Sequence, residues 1–412
     1  MLPRPDLLSP NSPPGLEVFQ LTTEPDVPAS HIYMEAQIFA PDSRRFVLHR
    51  SAHPHGSDPK DPEHQYLLCD LEANGSLTPL TTELGTTGPS ISPDGRYLYY
   101  FVDETHPWGG RLTLKRVQLD GTGRETLCVI DGALPGESCA PSRPYPLSTI
   151  SSDGQRVAIS AFLGDHRVEY PMRPDWGLLV FDVAAGSVAL VLRGGSWCNV
   201  HPQYSRSLDP EESHDILVQE NHGNITGPEG KVTKLVGGAG ADLHVIRDDG
   251  SRPRTLPFGR DGNEFCQGHQ CWRGRSDRVI TSTMTRKPAS ARLIEGTAVD
   301  GLVHAGLSLG GGNRTDLTAS YPHPDFYHFA TDETARRFIT DSGPRDGGGG
   351  LHVAEFSETP GEELQNWRFL LCPRSSWRKD AHIHPFLSPD GRTGFFNSDE
   401  SGVLQAYLVR GF

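Results

Sequence analysis

A short phrase returns seven times along the chain and constrains its fold more than any other feature. It runs apolar residue, Ser or a stand-in, Pro, Asp, Gly, and then a strand-like stretch. It stands as Ala40-Pro41-Asp42-Ser43, Ser92-Pro93-Asp94-Gly95, Ser151-Ser152-Asp153-Gly154 and Ser388-Pro389-Asp390-Gly391. Degraded versions occur at Ser205-Arg206-Ser207, Arg273-Gly274-Arg275 and Thr331-Asp332-Glu333-Thr334. The returns lie 52 to 68 residues apart, the signature of a repeat architecture. Each phrase leads into a strand such as Tyr97-Leu98-Tyr99-Tyr100. A second strand follows and ends in an acidic turn, as at Leu67-Leu68-Cys69-Asp70. An outer strand, such as Thr78-Pro79-Leu80-Thr81, closes the unit.

Four strands per unit at this period describe a blade of a β-propeller, whose units stack because none buries both faces alone. The expected fold is all-β: one seven-bladed propeller domain spanning residues 1–412, with inner strands starting near 37, 89, 148, 202, 270, 329 and 385. After the seventh phrase the chain reaches Ala406-Tyr407-Leu408-Val409 and stops at Phe412, so the last blade is expected to lack its fourth strand. Glu17-Val18-Phe19-Gln20-Leu21-Thr22 is expected to supply it and close the ring, which removes exposed sheet edges. Two separate β-sandwiches are the rival arrangement, and the even spacing through the middle of the chain argues against them.

Histidines keep the same phase. His201, His269 and His384 stand four residues before the Ser position, and His328 stands three before. The residue just ahead of an inner strand lies at one mouth of a propeller's channel, so these side chains are expected to converge there. His382 joins them, because alternation in an extended segment puts His382 and His384 on one side. The H-x-H pair His53 and His55 lies in a polar, Pro-rich stretch expected to be a solvent loop, and His222 reads as a turn residue.

The net charge of −14 argues against nucleic acid or an anionic membrane as partner, and an acidic substrate would need local cations or a metal. The seven cysteines show no framework spacing. Cys266 and Cys271 flank His269, but no second close Cys pair completes a zinc site, so buried free thiols are expected. The N-terminal stretch lacks the apolar core of a signal peptide, and no run approaches transmembrane length, so a cytoplasmic location is expected. Oligomeric state is open.

Several segments resemble the oligogalacturonate lyases, polysaccharide lyase family 22, over nearly the full length. They are His31 to Gln37 running on to Asp70-Leu71, Trp197 to Tyr204, Glu264 to Trp272, and Ser375-Ser376-Trp377 with His382-Ile383-His384-Pro385. The resemblance implies β-elimination of short uronic-acid oligosaccharides with a divalent metal, Mn²⁺. It implies His269 as the base that removes the C5 proton, with His328, His382 and His384 as metal ligands. Where the family has a further glutamine ligand this chain has Lys379, which leaves three protein ligands or recruits Asp380 or water. Where the family has an arginine ahead of the base, this chain has Asp242. Lys379, Arg378 and Arg273 are candidate partners for the substrate carboxylate, and His201 for substrate binding.

The residue types suit this chemistry. A carbanion next to a carboxylate needs its charge neutralised, as a divalent ion can do, and a neutral imidazole is a suitable base. Three histidines alone do not choose among Mn²⁺, Fe²⁺, Ni²⁺ and Zn²⁺. The alternatives are a propeller that binds glycans or partner proteins without catalysis, and a metal-dependent sugar hydrolase or isomerase using the same pocket.

Overall fold

A computed structural model describes residues 1–51, 53–56, 58, 60–164, 175–195, 200–221, 225–226, 232–234, 241–258, 264–286, 289–300, 313–321, 326–343, 349–359 and 361–412. The recurring phrase is a turn with a fixed hydrogen-bond scheme. In Ser92-Pro93-Asp94-Gly95 the Ser92 hydroxyl donates to Asp94 Oδ1 at 2.6 Å and accepts the backbone N–H groups of Arg96 and Tyr97. Ser151 with Asp153, and Ser388 with Asp390, repeat the Ser-to-Asp bond at 2.5 and 2.6 Å. Gly95 closes the first of these turns at φ +69°, a left-handed conformation that glycine adopts without a Cβ penalty. In the degraded phrase at Thr331, Asp332 takes the serine's part and accepts the N–H groups of Arg336 and Arg337.

Between the turns the described chain is β-structure, with two short 3-10 turns at Pro5–Leu7 and Glu212–His214 and no α-helix among the described residues. The first sheet orders Ala29–His31, Arg45–Arg50, Gln65–Asp70 and Ser76–Pro79, all antiparallel. Thr86–Ile91, Tyr97–His106, Gly109–Gln118 and Glu125–Asp131 form the second. The third builds Ser148–Ile150, Arg156–Gly164, Asp175–Asp182 and Ser187–Gly194, with Ala140–Ser142 on the far half of Arg156–Gly164. A nine-stranded sheet follows. Its main path runs Gln203–Tyr204, Asp215–Asn221, Ala241–Arg247, then Glu264–Trp272, Arg278–Arg286, Ala289–Thr297 and Thr315–Asp316, its halves meeting at the pair Ala241 and Cys266, with Arg254–Thr255 on Ala241–Arg247 and Val299–Asp300 beside it. Phe329–Thr331, Arg337–Asp341, Leu351–Glu355 and Gln365–Leu371 make the next. In the last, Phe386–Leu387, Thr393–Ser398 and Gln405–Arg410 are joined by Glu17–Gln20, with Glu17 opposite Arg410 and Gln20 opposite Tyr407.

Burial explains why these sheets stack. In Arg45–Arg50 three successive residues, Phe46, Val47 and Leu48, are fully buried, so both faces of that sheet are covered. Phe46, Tyr100, Phe396 and Tyr407 belong to one continuous apolar cluster, and Phe101, Val157 and Phe181 to the next. Phrase turns and histidines sit at opposite ends of the inner strands. A cavity of about 300 Å³ is lined by phrase residues including Ser92, Pro93, Ser152 and Pro389, and a separate one of about 760 Å³ takes the histidines. No helix among the described residues is long and apolar enough to cross a membrane.

Candidate functional site

The larger cavity is lined by His201, His269, His328, His382 and His384, together with Tyr33, Tyr145 and Tyr327. All five histidines arrive from residues at or just ahead of an inner strand. Ligand atoms of His328, His382 and His384 lie within 4.8 Å of one another. His382 and His384 share a side because Ile383 between them is fully buried and its carbonyl accepts the Asn397 N–H.

A buried carboxylate orients His328. Asp341, the last residue of Arg337–Asp341, accepts the His328 backbone N–H and its Nδ1–H, both at 2.8 Å. That fixes the tautomer and leaves Nε2 as a lone pair, the usual support for a metal-binding imidazole. Burial, followed by the charge of neighbouring imidazoles, pushes His328 and His384 well below the ordinary histidine range. Burial also lowers His382, against the opposing pull of Asp341 and Asp380. Three neutral imidazoles therefore present lone pairs at one point, a donor set that fits a first-row divalent ion. The Asp380 carboxylate lines the cavity but is not part of that close group. Trp377 packs over the centre, its ring 4.9 Å from that of His382 and 6.0 Å from that of His328.

His269 is presented differently. It sits in a bulge, where the pairing of Glu264–Trp272 with Arg278–Arg286 slips between Cys266 and Gln270. Gly268 makes the slip at φ +86°, and a Cβ there would come 2.7 Å from Gln219 Nε2, so the bulge requires glycine. The Thr281 hydroxyl donates to the His269 carbonyl at 2.9 Å and anchors the loop. The His269 ring lies 4.8 Å from that of His328, and its buried Nδ1 has no hydrogen-bond partner among the described residues. Burial first, then His328, His201 and His382, hold it well below the ordinary range, so it is neutral near pH 7.

His201 lines the cavity, but both of its ring nitrogens are engaged. Nδ1 pairs with Glu35 at 2.8 Å and Nε2 with the Tyr145 hydroxyl at 2.9 Å, which makes it a fixed wall. Burial raises the Glu35 carboxyl, and the His201 partner opposes that rise. Tyr33 stands edge-on to His201, His328 and His384, with ring separations of 5.5, 6.2 and 4.8 Å. His201 and His384 both adopt left-handed backbone, φ +43° and +45°, which is uncommon for residues with a Cβ.

Three expected carboxylate partners are not brought in. Arg273 is held by Glu295, itself fully buried, at 2.9 Å and lies over the Phe356 ring, so its charge is already compensated in the sheet. Arg378 and Lys379 are exposed and outside the cavity lining, because the chain turns through left-handed Trp377 and Lys379 before reaching His382. Asp242, on Ala241–Arg247, is buried beside Glu220 in the sheet and does not line the cavity. The stretch from His53 to Gly56 is not a detached solvent loop. His55 Nδ1 pairs with buried Asp399 at 2.6 Å, the His55 carbonyl accepts the Asp380 N–H, and Gly56 lines the cavity. His222 lies outside the described residues.

Cys266 and Cys271 are buried thiols pushed up to about 11 and about 12 by burial, and neither belongs to the close group of His328, His382 and His384. Asp341, Glu35, Tyr33 and Tyr145 carry no repeat phase and escape a reading by period. An acid set in an apolar run, as Glu35 is in Met34-Glu35-Ala36, was the one available signal.

No protein-family model matches the chain, and no curated protein matches it by sequence. Among solved structures, it is similar to oligogalacturonate lyase from Vibrio parahaemolyticus, at 17% identity and a TM-score of 0.69, covering 97% of this chain and 95% of that one. An oligogalacturonate lyase in complex with manganese is similar at 18% identity and a TM-score of 0.68, covering 96% and 93%. The β-propeller domain of the trilobed protease from Pyrococcus furiosus follows at 10% identity and a TM-score of 0.51, covering 92% and 95%. At these identities the likeness is one of architecture, that of a β-propeller.

Proposed function

We propose that the chain is a metal-dependent lyase that cleaves short uronic-acid oligosaccharides by β-elimination. The observation that carries this reading is an unpartnered, neutral His269 4.8 Å from a histidine whose tautomer is set by Asp341. His328, His382 and His384 would hold the ion, and a relative of the same architecture binds manganese. Bound there, a divalent cation supplies Lewis-acid neutralisation of the substrate carboxylate. His269 takes the C5 proton, the C5–H electron pair forms the C4=C5 double bond, and the C4–O4 bond breaks with the departing O4 taking a proton from water. A positioned base contributes roughly 10²–10⁴-fold, and the bulge at Gly268 with the Thr281 anchor holds it in place. His201, locked by Glu35 and Tyr145, keeps the wall of the cavity rigid. Counting the nine-stranded sheet as two blades gives seven, within one domain over residues 1–412 that Glu17–Gln20 closes.

The test is the product. Manganese-loaded protein incubated with uronate oligosaccharides is expected to give new ultraviolet absorbance from the C4=C5 bond, and His269→Ala is expected to abolish it. Absence of any unsaturated product from a panel of uronate oligomers sinks the assignment.

A further inference from the structure

The smaller cavity, on the side of the phrase turns, holds a cation that the proposed lyase chemistry does not use. Several arginines at these turns are paired with acids: Arg96 with Asp94 at 2.7 Å, Arg156 with Asp182 at 2.6 Å and Arg275 with Glu333 at 2.6 Å. The fourth phrase, Ser205-Arg206-Ser207, has lost its aspartate and carries arginine where three others carry Pro41, Pro93 and Pro389. The next acid, Asp209, accepts the N–H groups of Glu211 and Glu212 instead. Arg206 is partly buried in the cavity lining and makes no ion pair or hydrogen bond with any described residue.

A fixed donor shares that lining. Gln37 Oε1 accepts the Thr149 hydroxyl at 3.0 Å and the Ile150 N–H at 2.5 Å, and the Gln37 backbone carbonyl accepts the Ile91 N–H at 2.8 Å. Those bonds orient the side-chain amide and leave its NH₂ without a partner among the described residues. The lining hydroxyls are already committed: Ser92 donates to Asp94, Ser152 to the Ser205 carbonyl and Thr331 to the Trp272 carbonyl. Arg275 and Glu333 neutralise one another. Arg206 therefore gives the described lining one uncompensated positive charge, and a guanidinium partly withdrawn from water gains from an anion beside it.

The rest of the wall is apolar. Ile38, Phe39, Ile150, Phe386 and Leu387 line the cavity, and Leu208, 68% exposed, carries the apolar surface out toward solvent. The volume of about 300 Å³ gives room for about ten non-hydrogen atoms, at about 30 Å³ each. Inorganic phosphate is smaller and offers such a wall no apolar surface. A carboxylate accepts from both donors and can carry a hydrocarbon body that fills the remaining space.

We propose that this cavity is a binding site for a small monocarboxylate with an apolar body, its head group held by Arg206 and Gln37 and its hydrocarbon by Ile38, Phe39 and Phe386. The site is separate from the histidine cavity and stands whether or not the protein is a lyase.

The test uses octanoate, an acid of the size the cavity takes, with octanamide as its uncharged counterpart and inorganic phosphate as an anion without an apolar body. Calorimetry on the full chain in chelator reads the affinities and keeps the carboxylate from meeting an ion at the triad. Octanoate is expected to bind at least about tenfold more tightly than either comparison ligand. Arg206→Gln is expected to bring octanoate down to the level of octanamide. Gln37→Glu keeps an acceptor for Thr149 and Ile150 but replaces the donor with an anionic oxygen, and is expected to weaken octanoate at least as much, with an unchanged urea midpoint showing an intact fold. His269→Ala is expected to leave the affinity unaltered. Equal binding of octanoate and octanamide, phosphate as tight as octanoate, or full affinity in Arg206→Gln overturns the proposal. Octanoate binding that is lost in His269→Ala, or absent at millimolar concentration, overturns it as well.

Discussion

Acid should unfold this protein earlier than its carboxylates alone would require, and the structure gives the size of the effect. His31 is 2% exposed, boxed by the rings of Phe46, Phe386 and Phe395, and paired through Nε2 with the Tyr407 carbonyl. Burial sets His31 and His49 at about 3 and His64 at about 4, against about 6.5 in the unfolded chain. Between those values the unfolded state binds more protons than the folded one, so stability rises with pH. It is fully present above about pH 6.5 and is lost as pH falls below it. From about pH 7.5 to about pH 5.5 each imidazole costs about 1.4 kcal/mol, whether its folded value is nearer 3 or 4, and the three together cost about 4 kcal/mol. His269, His328, His382 and His384 shift in the same direction and add to the loss, while the raised Glu35 carboxyl opposes it. The assay is urea unfolding of the chelated protein at the two pH values, with the m-value held common. His31→Phe should reduce the loss by about 1.4 kcal/mol, whatever it does to stability at neutral pH. An unfolding free energy that changes by less than about 1 kcal/mol between the two conditions would refute the reasoning.

Three further outcomes follow from the site. Asp341→Asn should weaken metal binding by roughly 10–100-fold, because His328 loses the acceptor that fixes its tautomer, and a competitive metal titration reads this directly. Gly268→Ala should cost about 1–2 kcal/mol for left-handed alanine and should also lower turnover, since the new Cβ meets Gln219 and displaces the bulge that carries His269. An unchanged rate in that variant would show that the bulge does not position the base. Removal of metal by a chelator should abolish formation of unsaturated product, and manganese should restore it. Product formed equally well without metal would contradict the role given to the three histidines.

Repetition decided which features could be read ahead of the structure. The Ser-Pro-Asp-Gly turns recur because one local hydrogen-bond scheme serves each of them, and their spacing marks the strands that follow. Phase likewise singled out His269, His328 and His384, since residues at one repeat position meet around one axis. The supporting acids had no such signal. Asp341 comes from the end of the neighbouring strand, and Glu35 reaches His201 across 166 residues, so neither belongs to a period. Arg273 shares the phase of the phrase but is neutralised by Glu295 within its own sheet, a pairing that no spacing announces. Charge and proximity in sequence drew Arg378 and Lys379 into the expected site, whereas left-handed backbone at Trp377 and Lys379 leaves them exposed and outside the lining.

The last sheet holds both ends of the described chain, with Glu17 and Arg410 paired across 393 residues. During synthesis, Glu17–Gln20 therefore waits without its neighbour until Gln405–Arg410 has left the ribosome. His382 and His384 lead into Phe386–Leu387 of that same sheet, so two of the three imidazoles gain their framework at the same moment. A nascent chain can stack its earlier sheets in turn, but it cannot present the full triad. On the proposed reading, uptake of an ion at the triad is thereby tied to synthesis of Gln405–Arg410, and a chain cut before that strand would lack this sheet rather than carry a weakened version of the same site.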